Sequence, residues 1–159
     1  MDEASNDTDF GEFGRLADFL PYQLSVTSNA VSSLIAERYQ ARFGLKVPEW
    51  RVMAVLGDVG SATQRKLTEA TLMDKVAVNR ACKVLGERGL IAREPNARDG
   101  RSHLLVLTDE GKGIHREVMP LARAIEAEIF AALDPAETAQ LRSVLTRVFD
   151  AASAIHSAR

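Results

Sequence analysis

Basic side chains that could hold nucleic-acid phosphates are concentrated in the middle of the chain. Between Ser61 and His103 the sequence has nine Lys or Arg residues and five Asp or Glu residues, so this segment carries a formal charge of +4. Since all 159 residues together carry −2 at pH 7, the rest of the chain carries −6. A protein that binds the polyanionic DNA backbone concentrates Lys and Arg on one surface. The charge distribution therefore favours DNA as a partner, against the simpler interpretation of a solvent-exposed charged face.

A helix that begins after Asp74 is predicted to present part of this charge. Asp74 is a favourable N-cap, and Gly89 is a typical terminator just after a helix. The apolar residues of this helix fall on one stripe, formed by Val78, Cys82 and Leu85. Its polar residues fall on other faces and are Lys75, Asn79, Arg80 and Lys83. This helix should pack one side on a core and present a basic side to a partner.

A hairpin with a basic tip follows this helix. Segments 90–94 and 101–107 have the composition of two strands, and they flank the turn-forming residues 95–100. The tip contains Arg98, Asp99 and Gly100, and Arg101 begins the second strand. We therefore expect a two-stranded β-hairpin whose tip carries positive charge.

Five further helices are predicted from apolar spacing and end signals. The first has apolar residues at Leu20, Leu24, Val31, Leu34, Ile35 and Phe43 and closes at Gly44. The second starts with Pro48 and Glu49 and places Trp50, Met53 and Leu56 on one stripe. The third runs from Gln64 to about Thr71, with Ser61 or Thr63 as its cap and Leu67 and Ala70 facing inward. The fifth starts near Thr108 and continues through Ile114, Val118, Leu121, Ile125 and Ile129 to Leu133, with a kink expected at Pro120. The sixth starts at Asp134, Pro135 and Glu137 and has its apolar stripe at Leu141, Val144, Leu145, Val148, Ala152 and Ile155.

Two short helices followed by a hairpin make mechanical sense in a DNA-binding protein. The second helix fits the major groove, and a basic hairpin tip can reach the neighbouring minor groove. The predicted fold class is therefore mostly α, an α+β winged helix with six helices and a two-stranded β-wing. A small helical domain with a surface hairpin remains the alternative from the pattern alone.

The segment from Arg93 to Gly111, which reads REPNARDGRSHLLVLTDEG, resembles the wing of the MarR (multiple antibiotic resistance regulator) family. In that family an Asp-x-Arg pair at the hairpin tip precedes an apolar strand and a Leu-Thr-x-x-Gly helix start, which here correspond to Asp99, Arg101, Leu107, Thr108 and Gly111. Upstream, ACKVLGERGLIA is similar to the end of the family's recognition helix and its first wing strand. The chain departs from the family at Gly86, where a charged residue is common, and at Val76 and Ala77, where small hydroxyl residues are common.

The resemblance implies a role for each candidate residue. Arg101 would enter the minor groove, Asp99 would brace the wing by pairing with an arginine, and Arg98 would contact phosphate. Gln64 and Arg65 would anchor the third helix on the DNA backbone. The recognition surface would consist of Lys75, Val76, Asn79, Arg80 and Lys83. Asn79 would read adenine, and the cations would contact phosphates or guanine.

The resemblance also implies a homodimer and a domain order. The first and last two helices have more apolar stripe than one chain of this size needs, and the family uses them as a two-fold interface. We therefore expect an acidic flexible tail at 1–14, a dimerisation helix at 15–46, the winged helix-turn-helix domain at 47–107 and C-terminal dimerisation helices at 108–159. Two recognition helices would address half-sites about 34 Å apart in a pseudo-palindromic operator.

The sequence also suggests residues for an effector site, and it argues against a redox or metal role for the cysteine and the histidines. In the family, a groove beside the DNA-binding part often holds a small aromatic or lipophilic effector, and Ser28 and Trp50 are candidates to line it. Trp50 is also a candidate core residue. Cys82 lies on an apolar stripe, so we expect a buried thiol and not a redox sensor. The three histidines have no metal-ligand spacing, and neither a metal nor a cofactor is expected.

Composition and motifs limit the classes of function. The acidic N-terminus is unlike a secretory signal and no apolar run could cross a bilayer, so a cytoplasmic protein is expected. No phosphate-binding glycine loop, activated nucleophile or catalytic carboxylate pair is evident, which argues against an enzyme. The preferred function is a ligand-responsive transcriptional repressor that binds double-stranded DNA. The alternative is a winged-helix protein-interaction module whose basic face binds an acidic partner.

Overall fold

The helices and strands follow the predicted order, with one short strand added. The computed structural model describes residues 14–158, so the predicted acidic tail lies outside the described residues except for Gly14. After a short 3-10 turn at Leu16–Asp18, the elements are α1 (Leu20–Phe43), α2 (Val47–Val59), β1 (Ser61–Ala62), α3 (Gln64–Thr71), α4 (Lys75–Glu87), β2 (Ile91–Pro95), β3 (His103–Leu107), α5 (Asp109–Ile129) and α6 (Pro135–Ser157). No helix within this part of the chain is long and apolar enough to cross a membrane.

The sheet has three antiparallel strands in the order β1-β3-β2, where the sequence predicted only the β2-β3 hairpin. In the hairpin, Ile91 is opposite Leu107 and Pro95 is opposite His103. The added strand β1 pairs with the other edge of β3, where Ala62 is opposite Leu105. The wing is therefore anchored through β3 to the segment that leads into α3.

Side-chain caps fix the starts of α3 and α4 at the predicted residues. The hydroxyl of Thr63 accepts a hydrogen bond from the backbone N–H of Lys66 at 3.2 Å, so Thr63 and not Ser61 caps α3. Asp74 accepts from the N–H of Ala77 at 2.8 Å at the start of α4. These bonds satisfy N–H groups that have no partner within a helix. The positions of α3 and α4 along the chain are thus determined locally.

The chain divides into two compact units, one ending at Lys112 and the other beginning at Gly113. In the first unit, α2, α3 and α4 pack on one another, and the sheet packs on all three helices. Leu67 is buried as predicted, whereas Ala70 is exposed, so the prediction for Ala70 is wrong. The short helix α3 therefore contributes one fully buried side chain to this core.

Contacts at the end of α1 join it to α2 and α4. The rings of Tyr39 and Trp50 lie 5.9 Å apart at 44°. Burial raises the pKa of Tyr39 to about 12, against an opposing effect of the nearby Arg51 cation. The guanidinium of Arg88, just after α4, donates to the carbonyl oxygens of Phe43 at 2.7 Å and Gly44 at 3.1 Å. A cation on the last carbonyls of a helix is favoured by the helix dipole.

The Leu-Thr-x-x-Gly segment at the start of α5 packs against the loop that follows α4. The Thr108 hydroxyl donates to the carbonyl of Gly89 at 2.6 Å and accepts from the N–H of Gly111 at 3.1 Å. A Cβ on Gly111 would collide with the carbonyl oxygen of Leu90. Only glycine fits this approach, which explains why the motif ends on it.

In the second unit, α5 is shorter than predicted. It ends at Ile129, a 3-10 turn covers Phe130–Ala132, and Leu133 is extended, so the expected continuation of the helix to Leu133 is wrong. Helix α6 begins with the predicted capping box, in which Asp134 and Glu137 accept hydrogen bonds from each other's backbone N–H. None of the 23 residues of α6 is buried.

A single carboxylate links the two helices of the second unit. Glu126 on α5 lies 2.8 Å from Arg123 on the same helix and 3.2 Å from Arg142 on α6. The hydrogen bond from Arg123, together with the charges of Arg123 and Arg142, lowers the pKa of Glu126. These groups, with Phe130 and with Leu141 and Leu145 of α6, line a cavity of about 360 Å³.

Candidate nucleic-acid interface

Helix α4 has a buried face and an exposed face that divide its residues as predicted. Val78, Ala81, Cys82 and Leu85 are buried. The five residues expected to form a recognition surface, Lys75, Val76, Asn79, Arg80 and Lys83, are all exposed. Lys83 lies 3.9 Å from Glu87, one turn further along the helix. The helix is therefore held from one side and leaves a basic, mostly polar face open.

The start of α3 contributes two of the predicted backbone contacts. Gln64 is half-buried and Arg65 is exposed. Arg65 donates to Glu69 at 3.1 Å, a solvent-exposed pair that contributes little to stability and that a phosphate could replace. Both residues therefore remain compatible with contacts to a DNA backbone.

The tip of the wing is a turn fixed by side-chain hydrogen bonds. The amide of Asn96 donates to the hydroxyl of Ser102 at 2.8 Å, and its oxygen accepts from the N–H of Arg98 at 3.1 Å. The carboxylate of Asp99 accepts from the N–H of Arg101 at 3.0 Å. Asn and Asp stabilise turns in this way because their short side chains reach backbone groups two residues on. The turn leaves the side chains of Arg98 and Arg101 exposed.

Asp99 braces the wing by a different contact from the one that the resemblance implied. We expected a pair with an arginine side chain, but the ion pairs within residues 14–158 do not include Asp99, and its carboxylate binds the backbone N–H of Arg101. The tip turn is tight enough to place that N–H within reach of the carboxylate. Asp99 thus orients Arg101 through the backbone.

A concave surface joins the start of α3 to the wing. This cavity has a volume of about 340 Å³ and is lined by Thr63, Gln64, Arg65, Arg93, Asp99, Arg101, Ser102, His103 and Leu105. A second cavity of about 260 Å³ lies between α4 and the sheet, and Asn79, Lys83 and Arg93 are among the residues that line it. The structure therefore brings Gln64 and Arg65 together with Asp99 and Arg101 in the first cavity, and Arg93 links that cavity to the one lined by Asn79 and Lys83. The other predicted residues, which are Lys75, Val76, Arg80 and Arg98, are exposed and line neither of these two cavities.

Arg93 belongs to this surface and was missed as a site residue by the sequence analysis. It lines both cavities from β2. Alternate residues of a strand share a face, so Arg93 lies on the same face as the buried Ile91, which packs toward the helices. That alternation was the signal in the sequence that could have identified it.

The two candidate effector residues lie in different environments. Trp50 is buried in α2 against Tyr39, as its role in the core predicts, and Ser28 is exposed on α1. Neither residue lines the cavities described above. The structure does not bring the two together, and their role in binding an effector stays a prediction.

Cys82 is a buried thiol whose pKa is raised. Its exposed fraction is 4%. Burial raises the pKa of Cys82, and the nearby Arg93 cation and a hydrogen bond with Gln64 oppose this effect. The thiolate is the reactive form, so the environment confirms the predicted core residue.

Comparisons with known proteins agree with this geometry. The model of the MarR family matches residues 43–102. The MarR family transcriptional regulator SPO1453 from Silicibacter pomeroyi DSS-3 is 30% identical, with a TM-score of 0.75 over 87% of this chain and 98% of that chain. The PcaV transcriptional regulator from Streptomyces coelicolor, solved with its natural ligand, is 26% identical, with a TM-score of 0.75 over 87% of this chain and 97% of that chain. The transcriptional regulator HosA from Escherichia coli O157:H7 is 29% identical over 58% of this chain and 69% of its own length. With this fold, this basic surface and these relatives, the chain belongs to the MarR family of transcriptional regulators.

Proposed function

We propose that this protein is a repressor that binds a pseudo-palindromic DNA operator as a homodimer and releases it in response to a small aromatic or lipophilic effector. The observation that carries the proposal is the exposed face of α4, of which Asn79 and Lys83 share a cavity with Arg93, while Arg93 also lines the cavity formed by Arg101 and the start of α3. The proposed place of action is the cytoplasm, with no cofactor taking part.

Each part of this surface has a distinct task in the proposal. Helix α4 enters the major groove, where Asn79 reads an adenine edge and Lys75, Arg80 and Lys83 contact phosphates or guanine. The wing places Arg101 in the adjacent minor groove, where the negative potential attracts a guanidinium, and Arg98 contacts phosphate. Gln64 and Arg65 hold the DNA backbone at the start of α3.

The proposed dimer covers apolar side chains that the single chain leaves exposed. Leu20 on α1 is 74% exposed, and on α6 Val144, Leu145, Val148, Phe149 and Ile155 are all exposed. Exposed apolar surface on this scale is typical of an interface. A second copy related by a two-fold axis would cover these faces and place two recognition helices about 34 Å apart.

The effector is proposed from the same relatives, and Trp50 offers a way to test it. PcaV was solved with its natural ligand, and this chain shares its fold over most of its length. Trp50 is the only tryptophan of the chain. Its fluorescence can therefore report the binding of benzoate, cinnamate or their thioesters near α2 without a label, and a Ser28→Ala variant tests the second candidate residue.

DNA binding is tested by comparing the affinities of the wild-type protein, Arg101→Ala and Lys83→Ala for operator DNA. Gel retardation with the DNA upstream of the protein's own gene should show sequence-specific binding that weakens steeply with salt. We expect Arg101→Ala to weaken binding by about 1 to 3 kcal/mol and to flatten the preference for A·T pairs flanking each half-site. If Lys83 contacts phosphate and not guanine, Lys83→Ala should lower affinity for all sequences alike and reduce the salt slope by about one.

Two outcomes would contradict this function. If Arg101→Ala binds the operator with unchanged affinity and keeps the preference for A·T pairs flanking each half-site, the wing does not read the minor groove. Failure to prefer any DNA sequence, together with binding to an acidic protein, would favour a winged-helix protein-interaction module instead.

A further inference from the structure

One residue on the open face of α4 has no polar atom in its side chain. Val76 is the second residue of the helix and is 65% exposed. It lies one turn before Asn79 and Arg80, so the three side chains share a face. An aliphatic side chain is the exception on this surface, because its other members are Lys, Asn and Arg.

The position of Val76 in the helix determines what it could contact. In helix-turn-helix proteins, the residues near the start of the recognition helix contact the base edges in the major groove. A valine can neither donate nor accept a hydrogen bond, so it cannot distinguish bases by the donor and acceptor pattern. The apolar group that bases present in the major groove is the C5-methyl of thymine.

We propose that Val76 reads the C5-methyl group of a thymine at one fixed position of each operator half-site. This proposal rests on the proposed DNA-binding function of α4. The isopropyl group of Val76 and the thymine methyl would remove each other from water, which is the source of the discrimination. Asn79 and Arg80 would form the hydrogen bonds that position the helix in the groove. Val76 would make tight binding depend on a thymine methyl group at one position.

The surroundings of Val76 support a contact outward from the protein. The inward residues of α4 at this end are Val78 and Ala81, both buried, and Val76 is not part of that set. Ala77, the next residue, is half-buried, and its N–H binds the cap Asp74. The side chain of Val76 is therefore available to a partner and contributes little to the stability of the helix.

The experiment removes the methyl group from DNA without changing any hydrogen bond. A binding site is first obtained by selecting random duplexes with the wild-type protein, and each thymine of the enriched site is then replaced in turn by deoxyuridine. At one position per half-site we expect the affinity to fall about fourfold, the change expected for one buried methyl group. Deoxyuridine at the remaining thymines should leave the affinity within twofold.

Protein variants then assign the effect to Val76. Val76→Ala should reduce the preference for thymine over deoxyuridine at that position, because the alanine methyl is smaller and reaches less far toward the thymine methyl than the valine side chain. Val59→Ala is the matched control, since Val59 is an exposed valine at the end of α2, and this variant should keep the fourfold difference. Circular dichroism checks that both variants are folded.

The outcomes separate this proposal from the function on which it rests. An enriched site in which no thymine is sensitive to loss of its methyl would overturn the role of Val76 and leave DNA binding established. The same conclusion follows if Val76→Ala keeps the full preference for thymine. A selection that enriches no sequence would overturn the proposed function, and the role of Val76 with it.

Discussion

Helices α4 and α6 carry apolar stripes of the same helical spacing but use them differently. In α4 the stripe is buried within the chain, and Leu85 is fully inaccessible. In α6 the stripe is exposed, and Val148 retains 49% of its surface. An apolar stripe therefore predicts that a helix face will be covered, and only the fold shows whether the same chain covers it. The comparison separates residues that stabilise the chain from residues that are available to a second copy.

The largest effect is the loss of stability expected when a side chain in the apolar stripe of α4 is shortened and leaves a cavity. Leu85→Ala should lower the free energy of unfolding by about 3 kcal/mol, because the side chain is fully buried and its removal leaves a cavity. Urea denaturation measures this change. Leu72→Ala is the matched control, since Leu72 is 68% exposed, and it should change stability by less than about 0.5 kcal/mol. Equal losses in both variants would contradict the placement of the stripe.

A charge in the stripe of α6 should act on assembly and not on folding. We expect Val148→Asp to raise the dissociation constant of the proposed dimer at least tenfold, equivalent to about 1.4 kcal/mol, because the carboxylate would be removed from water at the interface. Sedimentation velocity measures the constant, and the helix content should not change. Ser143→Asp, on the opposite face of α6, serves as the control. A dimer that tolerates Val148→Asp as well as Ser143→Asp does not use this stripe.

Replacing the sulfur in the stripe of α4 should have a smaller effect. Cys82→Ser should lower stability by about 1 kcal/mol, because a hydroxyl is less favourable than a thiol in this buried position. DNA affinity should stay within twofold of wild type. The raised pKa of Cys82 predicts slow reaction with thiol reagents at neutral pH. Release of wild-type protein from DNA by peroxide, without release of the serine variant, would show that Cys82 is a sensor after all.

The smallest effect is expected at the bridge between α5 and α6. Glu126→Gln should cost about 0.5 kcal/mol near neutral pH, since both arginine partners are largely exposed. The pKa of Glu126 is lowered in the folded chain, so the stabilisation is present above its ordinary value of 4.5 and is lost as the pH falls below that value. Stability measured from pH 3 to 7 should show the two proteins converging at low pH. Glu128→Gln, which removes the charge of an exposed neighbouring residue, is the control.

Local signals explain which parts of the fold were predictable. The caps Thr63 and Asp74 and the capping box at Asp134 act within three or four residues, so the sequence displays them directly. Strand β1 has two residues, too few for any periodicity, and it exists because it pairs with β3 more than 40 residues away. Its partner could not be recognised from the segment itself.

The candidate site was predictable in its residues and less so in its contacts. The open face of α4 follows from the position of its apolar stripe, which is a local property. The brace at Asp99 depends on the geometry of the tip turn, which places the backbone N–H of Arg101 3.0 Å from the Asp99 carboxylate. The role of Arg93 depends on how the sheet packs on α3 and α4, which is a property of the whole unit.

The hydrogen-bonded tip of the wing has a consequence for the entropy of DNA binding. Fixing the backbone of a flexible residue costs about 1 to 2 kcal/mol. The bonds of Asn96, Asp99 and Ser102 already restrict the turn in the chain without DNA. Less ordering therefore remains when Arg101 meets a groove, and more of the contact energy is kept as affinity. A wing of equal charge with a glycine in place of Asn96 would attract DNA from the same distance and hold it less tightly.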